Sequence, residues 1–242
     1  MPGIKVLSYN IRHAQGMDDR VNLNRIAEVI EQSGAQLIGL QEVDKHLPRS
    51  HFCHQAKILG RRLNKFWAYG ATLNWGVGQY GVAILSHWPI AYQRLILLPS
   101  RGEQRGLLET EIQLGHRRIN FFCTHLGLNR EERQEQVGDI IRTVQQTSNP
   151  AILVGDFNDK RSSGEYQRIT SVLQDATLEA QDFRTYPSHE PVEQIDFVFV
   201  SAHWRPLGVR TFPTTASDHL PVLVELKLEK TADLDHIKVL PQ

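Results

Sequence analysis

Eight polar residues follow apolar segments along the 242-residue chain. They are carboxylates, carboxamides and histidines: Asn10, Glu42, His125, Asp156, Asn158, Asp196, Asp218 and His219. Carboxylate and amide oxygens without cysteines or histidines at zinc-binding spacing suit Mg²⁺ or Mn²⁺ better than Zn²⁺. Histidines beside such oxygens are suited to proton transfer or to contact with an anion. The set therefore predicts hydrolysis of a phosphoester by water with the help of a divalent cation.

This chemistry assigns a task to each residue type. A carboxylate such as Glu42 or Asp218 can hold the cation, which stabilises charge on the phosphate. Asp156 can orient or deprotonate the attacking water, and Asn158 can donate a hydrogen bond to a phosphate oxygen.

The histidines complete the hypothesis, because His219 can be oriented by a carboxylate such as Asp196. Each residue alone has a commoner explanation: Asn10 as a turn or cap residue, Glu42 as a surface charge and the others as turn or strand-end residues. Eight suitable residues at the ends of separate strands favour a shared site instead.

The first half of the chain predicts a strand, a helix and a second strand. Residues 4–9 form an apolar segment that ends at Asn10. A helix with apolar positions at helical spacing follows over 22–34, and a second apolar segment over 35–40 leads to Glu42. The two polar residues thus stand at the ends of successive strands.

A second segment repeats this order. A strand over 118–124 ends at His125, a helix over 129–144 follows, and a strand over 151–155 ends at Asp156. The two polar residues are 32 positions apart in the first segment and 31 in the second. Apolar strands with polar residues at their carboxyl ends predict helix-covered sheets with a site at the strand ends.

Other apolar segments extend this interpretation to the rest of the chain. Further strands are predicted at 81–86, 94–99, 107–114, 195–200 and 220–228, and further helices at 54–63 and 165–173. Many strands with few helices argue against a barrel of alternating strands and helices. We predict an α/β (α+β) fold in one domain over residues 1–230, and a tail over 231–242 for which no role is predicted.

Composition limits the class of protein. No apolar segment approaches the length of a membrane span, and the first residues do not read as a signal peptide. Two cysteines, Cys53 and Cys123, predict free thiols in a reducing compartment. We therefore expect a soluble, cytoplasmic, monomeric protein. The 27 basic and 27 acidic residues give no charge surplus that would favour nucleic acid, although a local basic face is compatible with zero net charge.

Seven short motifs in a fixed order carry a family resemblance. They run from residue 8 to residue 222 and read SYNIR, LQEVD, GQYGVAILS, THLGL, GDFND, QIDFVFVS and SDHLPV. The ordered set resembles the endonuclease/exonuclease/phosphatase superfamily, which has the deoxyribonuclease-I-like fold. This resemblance implies a four-layer αββα sandwich of two stacked mixed sheets and magnesium-dependent phosphoester hydrolysis.

The resemblance also implies roles for the eight residues. It places three of them at the metal site, namely Asn10, Glu42 and Asp218. It places the remaining five around the water and the phosphate, namely His125, Asp156, Asn158, Asp196 and His219. Tyr80 resembles a phosphate-contacting tyrosine of the exonuclease III and apurinic-endonuclease branch, although a core aromatic residue is nearly as well supported. Arg105 could also reach a phosphate, but a lone arginine more commonly forms a surface ion pair.

Fold and chemistry leave the substrate open, because members of the superfamily cleave DNA, RNA, inositol phosphates, sphingomyelin and protein–DNA adducts. The segments around LQEVD resemble bacterial hydrolases, some of them likened to sphingomyelinases. We therefore expect a small or lipid-headgroup phosphodiester as substrate. The alternative is a DNA or RNA nuclease, which Tyr80, two tryptophans and two arginine pairs favour: Trp67, Trp75, Arg61–Arg62 and Arg117–Arg118. A catalytically inactive phosphate-binding relative is a third hypothesis, against which all the expected catalytic residue types are present.

Overall fold

Two six-stranded β-sheets make up the centre of the protein in the computed structural model, which describes residues 3–180 and 183–229. The first sheet has, in spatial order, strands β11 (Trp204–Arg210), β12 (Val222–Leu228), β1 (Ile4–Asn10), β2 (Leu37–Lys45), β4 (Gly78–Ser86) and β3 (Phe66–Trp75). The second has β5 (Ile90–Leu97), β6 (Gly106–Leu114), β7 (Arg117–His125), β8 (Ala151–Asp156), β10 (Asp196–Val200) and β9 (Gln174–Asp175). The helices are α1 (Leu23–Ser33), α2 (Gln55–Arg62), α3 (Arg130–Gln145) and α4 (Gly164–Thr170).

The repeated segment predicted from the sequence forms the middle of each sheet. β1 pairs with β2 in parallel after the crossover through α1, and β7 pairs with β8 in parallel after the crossover through α3. The other strand pairs are antiparallel, so both sheets are mixed. His125 is registered directly against Asp156 in the second sheet. The parallel pairs therefore bring the polar strand ends to the same edge of the sandwich.

Local chemistry fixes the ends of the two crossover helices. The Asn22 side chain accepts a hydrogen bond from the amide of Asn24, and α1 ends at Gly34 with φ 64°, a left-handed conformation that glycine adopts without strain. The Asn129 side chain accepts from the amides of Glu131 and Glu132 at the start of α3. Both caps lie where the sequence predicts helix starts.

Three apolar clusters separate the four layers. Residues such as Val6, Phe121 and Val154 fill the space between the two sheets. A Cβ atom on Gly39 would overlap with Val154, so the sheets approach closely there. Helices α1 and α2 cover the outer face of the first sheet, and α3 and α4 cover the outer face of the second. The predicted αββα sandwich is confirmed.

Three strands were not predicted from the sequence, namely β3, the two-residue β9 and β11. β3 combines aromatic and polar residues without regular alternation, and β11 contains Pro206 and Gly208, which weaken the strand signal. β2 extends beyond the predicted segment to Lys45. The cysteines are free thiols, and among the described residues no helix combines the length and apolar character needed to cross a bilayer. The predicted tail over 231–242 lies outside the described residues.

Candidate active site

A cavity of about 650 Å³ opens at the edge where the polar strand ends meet. Eight of the ten residues singled out from the sequence line it: Glu42, Tyr80, Arg105, His125, Asp156, Asn158, Asp218 and His219. The other two, Asn10 and Asp196, are buried and bond to residues that line the cavity. The structure thus brings all ten predicted residues together.

Asn10 connects the two halves of the site. Its Nδ2 donates to Glu42 Oε1 and to Asp156 Oδ2, each at 3.0 Å, and its Oδ1 accepts from the amide of Arg12 at 3.0 Å. Because β1 and β8 belong to different sheets, these bonds hold carboxylates from both sheets at a fixed separation. In this arrangement Asn10 acts as a spacer between carboxylates, and its Oδ1 retains one lone pair.

Glu42 owes its position to a β-bulge. The register between β2 and β4 shifts between Leu40 and Val43, and Glu42 within this bulge has φ 57°. Bulges redirect a side chain, and non-glycine residues with positive φ are uncommon and are often found at functional sites. Burial raises the pKa of the Glu42 carboxyl, and the nearby Asp218 carboxylate raises it further. Two carboxylates that repel each other thus line the same cavity, which favours a bound cation.

A buried chain of hydrogen-bonding groups connects Asp196, His219 and Asp156. His219 Nδ1 lies 2.9 Å from Asp196 Oδ2, and His219 Nε2 lies 3.6 Å from Asp156 Oδ2. Burial alone lowers the pKa of His219, but the carboxylates of Asp196 and Asp156 reverse this effect and raise it to about 10. The ring is therefore an imidazolium at neutral pH. Burial, together with Asp196, raises the pKa of Asp156 above its ordinary value, which makes its carboxylate a stronger base.

His125 is held in its neutral form on the other side of Asp156. Burial lowers its pKa well below the ordinary value, and Arg105 and His219 lower it further. Arg105 Nη1 lies 3.1 Å from His125 Nδ1, and Asn158 Nδ2 lies 3.1 Å from His125 Nε2, so each ring nitrogen faces a donor. That Nε2 lies 3.5 Å from Asp156 Oδ2. A neutral imidazole has one acceptor and one donor nitrogen, so His125 can accept from only one of these two side chains and has one N–H to donate.

Asn158 follows Asp156 on the loop after β8. Its backbone has φ 47°, and its amide N–H donates to Asp156 Oδ1 at 2.9 Å, so the loop folds back onto the carboxylate. Its side-chain Nδ2 donates to the carbonyl of Leu126 and lies 3.1 Å from His125 Nε2. Asp159 points away from this group and pairs with Arg133. Asn158, near the start of the loop, therefore belongs to the site, whereas Asp159 forms an ion pair outside it.

Two arginines of the cavity wall, Arg12 and Arg49, were missed by the sequence analysis. Arg49 lies over the ring of Tyr80, with the guanidinium carbon 5.3 Å from the ring centroid. Arg12 Nε lies 3.7 Å from Asp218 Oδ2. Neither has a local sequence signal, since their positions depend on turns between elements. Arg12 is the last residue of the SYNIR motif, and Arg49 lies five positions after the end of LQEVD.

Of the residues that favoured a nucleic-acid partner, some line the cavity and others lie elsewhere. Trp75 lines the cavity and is 57% exposed. Trp67 instead packs edge-on against the ring of His54. Arg62 pairs with Glu28, and Arg118 pairs with Glu111 on the outer surface. The arginine pairs therefore do not line this cavity.

Two groups of oxygen ligands could hold a cation. Asp156, Asp196 and His219 place one ligand atom each within 4.8 Å of one another, but the His219 imidazolium already occupies the space between the two carboxylates. Among residues 3–180 and 183–229, Glu42 has no ion-pair partner, and Asp218 has Arg12 Nε at 3.7 Å. Hard oxygen donors fit Mg²⁺ or Mn²⁺, so Glu42 and Asp218 suit the cation better.

Comparison with known proteins identifies the family of the chain. The model of the Endonuclease/Exonuclease/phosphatase family matches residues 7–219, and the chain belongs to this family. Members of the family are hydrolases that act on phosphoester bonds, which confirms the predicted class of enzyme.

Individual relatives are similar over nearly the whole chain. The protein YbhP of Escherichia coli strain K12 is 26% identical over 244 residues, which cover 93% of this chain and 96% of the relative. An endonuclease/exonuclease/phosphatase structure from Beutenbergia cavernae superposes with a TM-score of 0.81 at 20% identity, over 94% of this chain and 72% of that chain. A mannosyl-6-phosphatase from Bacteroides thetaiotaomicron gives a TM-score of 0.73 at 22% identity, over 93% and 100%. These likenesses establish the fold.

Proposed function

We propose that the protein is a Mg²⁺- or Mn²⁺-dependent phosphodiesterase whose substrate is a small or lipid-headgroup phosphodiester. The observation that carries this proposal is the pairing of a carboxylate of raised pKa, Asp156, with a buried imidazolium, His219, whose Nε2 lies 3.6 Å away. A base and a fixed cation side by side suit attack of water on an anionic phosphorus centre.

Each residue of the site has its own role in the proposed reaction. Asp156 accepts the proton of the attacking water, and the raised pKa of its carboxyl assists this transfer. His219, held by Asp196, and neutral His125 donate hydrogen bonds to the phosphate oxygens on which charge develops. Asn10 keeps Asp156 at a fixed distance from Glu42 throughout. Each group acts from a buried position, which strengthens its electrostatic effect.

Glu42 and Asp218 are the residues that would hold the divalent cation, with the free lone pair of Asn10 Oδ1 as a further donor. A bound cation would neutralise charge on the non-bridging oxygens of the phosphate. Arg105 and Tyr80 add donors to the same wall of the cavity. Burial, with Glu42 nearby, raises the pKa of Tyr80, so its hydroxyl stays protonated and available as a donor.

The cavity supports a small substrate. A volume of about 650 Å³ lies within the range of small-molecule sites. Its wall also includes the apolar side chains Leu73, Trp75 and Leu128, the last of them 77% exposed. Apolar residues at the mouth of a charged cavity suit a substrate with a phosphate headgroup and an apolar remainder. The fold neighbour that is a mannosyl-6-phosphatase is consistent with small phosphoesters. A cytoplasmic location and a monomeric state remain predictions.

A nuclease is the second candidate function, and Trp75 is the residue that favours it. An exposed indole at the cavity wall can stack on a base. A screen of the purified protein with Mg²⁺ against a phosphodiester reporter, a phosphomonoester, sphingomyelin and an abasic-site duplex separates the candidates. We expect turnover of the diester reporter or the lipid. Preferred cleavage of the duplex would replace the first proposal by the second, and cleavage of the monoester alone would make the protein a phosphatase.

A further inference from the structure

Arg49 is oriented from two sides by residues that the proposed reaction does not use. Its Nε donates to Asp44 Oδ2 at 2.8 Å, and its Nη2 donates to Asp44 Oδ1 at 2.7 Å. The Asp44 side chain is 0% exposed, whereas the Arg49 side chain is 45% exposed. The ring of Tyr80 supports the face of the guanidinium. The guanidinium is thus fixed at the cavity wall in one orientation.

The unused donors of Arg49 belong to the edge that Asp44 does not bind. A guanidinium has five N–H donors, of which Asp44 occupies one on Nε and one on Nη2. Nη1 has no hydrogen-bond partner among residues 3–180 and 183–229. Burying the Asp44 carboxylate is costly, and an apolar residue there would often give equal or greater stability. The pair is therefore better explained by what it holds in place than by its contribution to folding.

Arg12 reaches the same cavity from a strained turn. Arg12, His13 and Ala14 have φ values of 43°, 43° and 67°, so three successive non-glycine residues are left-handed. Such conformations cost free energy and persist where the surroundings impose them. Gln55 imposes this one, because its Nε2 donates to the carbonyl of His13 while its Oε1 accepts from the amide of Asp44. The turn of Arg12 and the strand that orients Arg49 are thereby tied to each other.

We propose that Arg49, assisted by Arg12, binds a second phosphate group of the substrate, a terminal phosphomonoester apart from the phosphodiester that is hydrolysed. The proposal rests on the proposed function and narrows its substrate class to small bisphosphorylated compounds. Two guanidinium groups, one of them with Nη1 unpaired among the described residues, match a dianionic monoester better than a singly charged diester. Arg12 Nε lies 3.7 Å from Asp218 Oδ2, so the second phosphate would lie beside the proposed cation ligands.

A matched set of probes tests this assignment. The probes are p-nitrophenyl phosphodiesters of ethane-, propane- and butanediol whose second hydroxyl is free, phosphorylated, or phosphorylated and capped as a methyl diester. At a fixed excess of Mg²⁺, we expect kcat/KM for the best phosphorylated probe to exceed that for its hydroxyl counterpart by about tenfold or more, as for a charged hydrogen-bond partner. The methyl-capped probe should lose most of this advantage.

Variants assign the preference to Arg49. Arg49→Met alone leaves the buried Asp44 carboxylate unpaired, so Arg49→Met is combined with Asp44→Leu, which removes both partners and preserves folding. We expect the ratio of kcat/KM for the phosphorylated probe to kcat/KM for the hydroxyl probe to fall towards one in this double variant. Arg62→Met, which removes an arginine paired with Glu28 away from the cavity, should leave the ratio unchanged.

Calorimetry separates this inference from the proposed function. If no probe is hydrolysed, the proposed function fails, and binding of propane-1,3-diol bisphosphate and monophosphate in EDTA then decides the inference alone. Tighter binding of the bisphosphate that is lost in the double variant supports it. Equal binding of the two, equal kcat/KM for phosphorylated and hydroxyl probes, or a preference that survives in the double variant overturns it. Equal use of the methyl-capped probe also overturns it, because that result indicates the flanking diester of a nucleic acid.

Discussion

Substitution of Asp196 by asparagine tests how the central imidazolium is held. Among the described residues, the side chain of Asp196 has one hydrogen-bond partner, His219, and its Oδ1 is buried without a partner. If Asp196 acts only through His219, the two substitutions Asp196→Asn and His219→Ala remove the same function. Each should lower kcat by about a hundredfold, the usual effect of losing a proton-transfer or charge-stabilising group. A hundredfold corresponds to about 2.7 kcal/mol of transition-state stabilisation.

The double variant supplies the decisive comparison. Independent residues would multiply to a loss of about ten thousandfold, whereas residues that act as a unit give about a hundredfold to a thousandfold. The assay is release of p-nitrophenol from a phosphodiester reporter in Mg²⁺, at a temperature where circular dichroism shows every variant folded. A multiplicative loss would refute the assignment of Asp196 as the residue that positions His219.

A matched control distinguishes catalysis from folding. Asp175 is another buried carboxylate of the second sheet, paired with Arg161 and Tyr166, and it does not line the cavity. Breaking a buried pair costs about 3–5 kcal/mol, so Asp175→Asn and Asp196→Asn should both lower the free energy of unfolding. Only Asp196→Asn should lower kcat.

Three further predictions concern the cation, a helix cap and nucleic acid. Excess chelator should abolish activity, and Glu42→Gln should raise the Mg²⁺ concentration for half-maximal rate by about tenfold or more; an unchanged metal titration would exclude Glu42 as a ligand. His54 caps α2 through its side chain, and burial with nearby Lys45 lowers its pKa from 6.5 to about 4. The folded protein thus binds this proton less tightly than the unfolded chain, and the stability that neutral His54 contributes is lost as pH falls from 6.5 to about 4. In urea unfolding, the free energy of unfolding of His54→Asn, which keeps the cap without titrating, should fall less over this pH range than that of the wild type. At neutral pH, His54→Ala should have a free energy of unfolding about 1 kcal/mol below that of the wild type. Finally, Asp156→Asn protein with Mg²⁺ should bind duplex DNA weakly, with a salt slope below about 3 in magnitude; steep, tight binding to an abasic duplex in an anisotropy titration would favour a repair nuclease.

The fold was predictable because its central elements carry strong local signals. The apolar runs of β1, β2, β7 and β8 and the capped helices between them appear in the sequence with matching spacing, and the parallel pairing of each couple places their polar ends together. β11 was missed because it is an edge strand that contains Pro206 and Gly208. Strands of this kind are defined by pairing with a neighbour, which local composition does not encode.

The site was predictable where a residue ends a strand and less so where a turn positions it. Asp156 and His125 end adjacent parallel strands, so their proximity follows from topology. Glu42 reaches the cavity through a bulge, and Arg12 through a left-handed turn held by Gln55. Bulges and left-handed turns of non-glycine residues depend on tertiary contacts, so no local sequence pattern predicts them.

The rate of phosphodiester hydrolysis by wild-type and Asp156→Asn protein, in Mg²⁺ and in excess EDTA, tests the central claim most directly. The geometry predicts hydrolysis by the wild-type protein that stops in EDTA and returns when Mg²⁺ is restored, and a rate about a hundredfold lower for Asp156→Asn in Mg²⁺. A wild-type rate that persists in EDTA, or an Asp156→Asn protein as active as the wild type, would contradict a cation-assisted attack of water directed by Asp156.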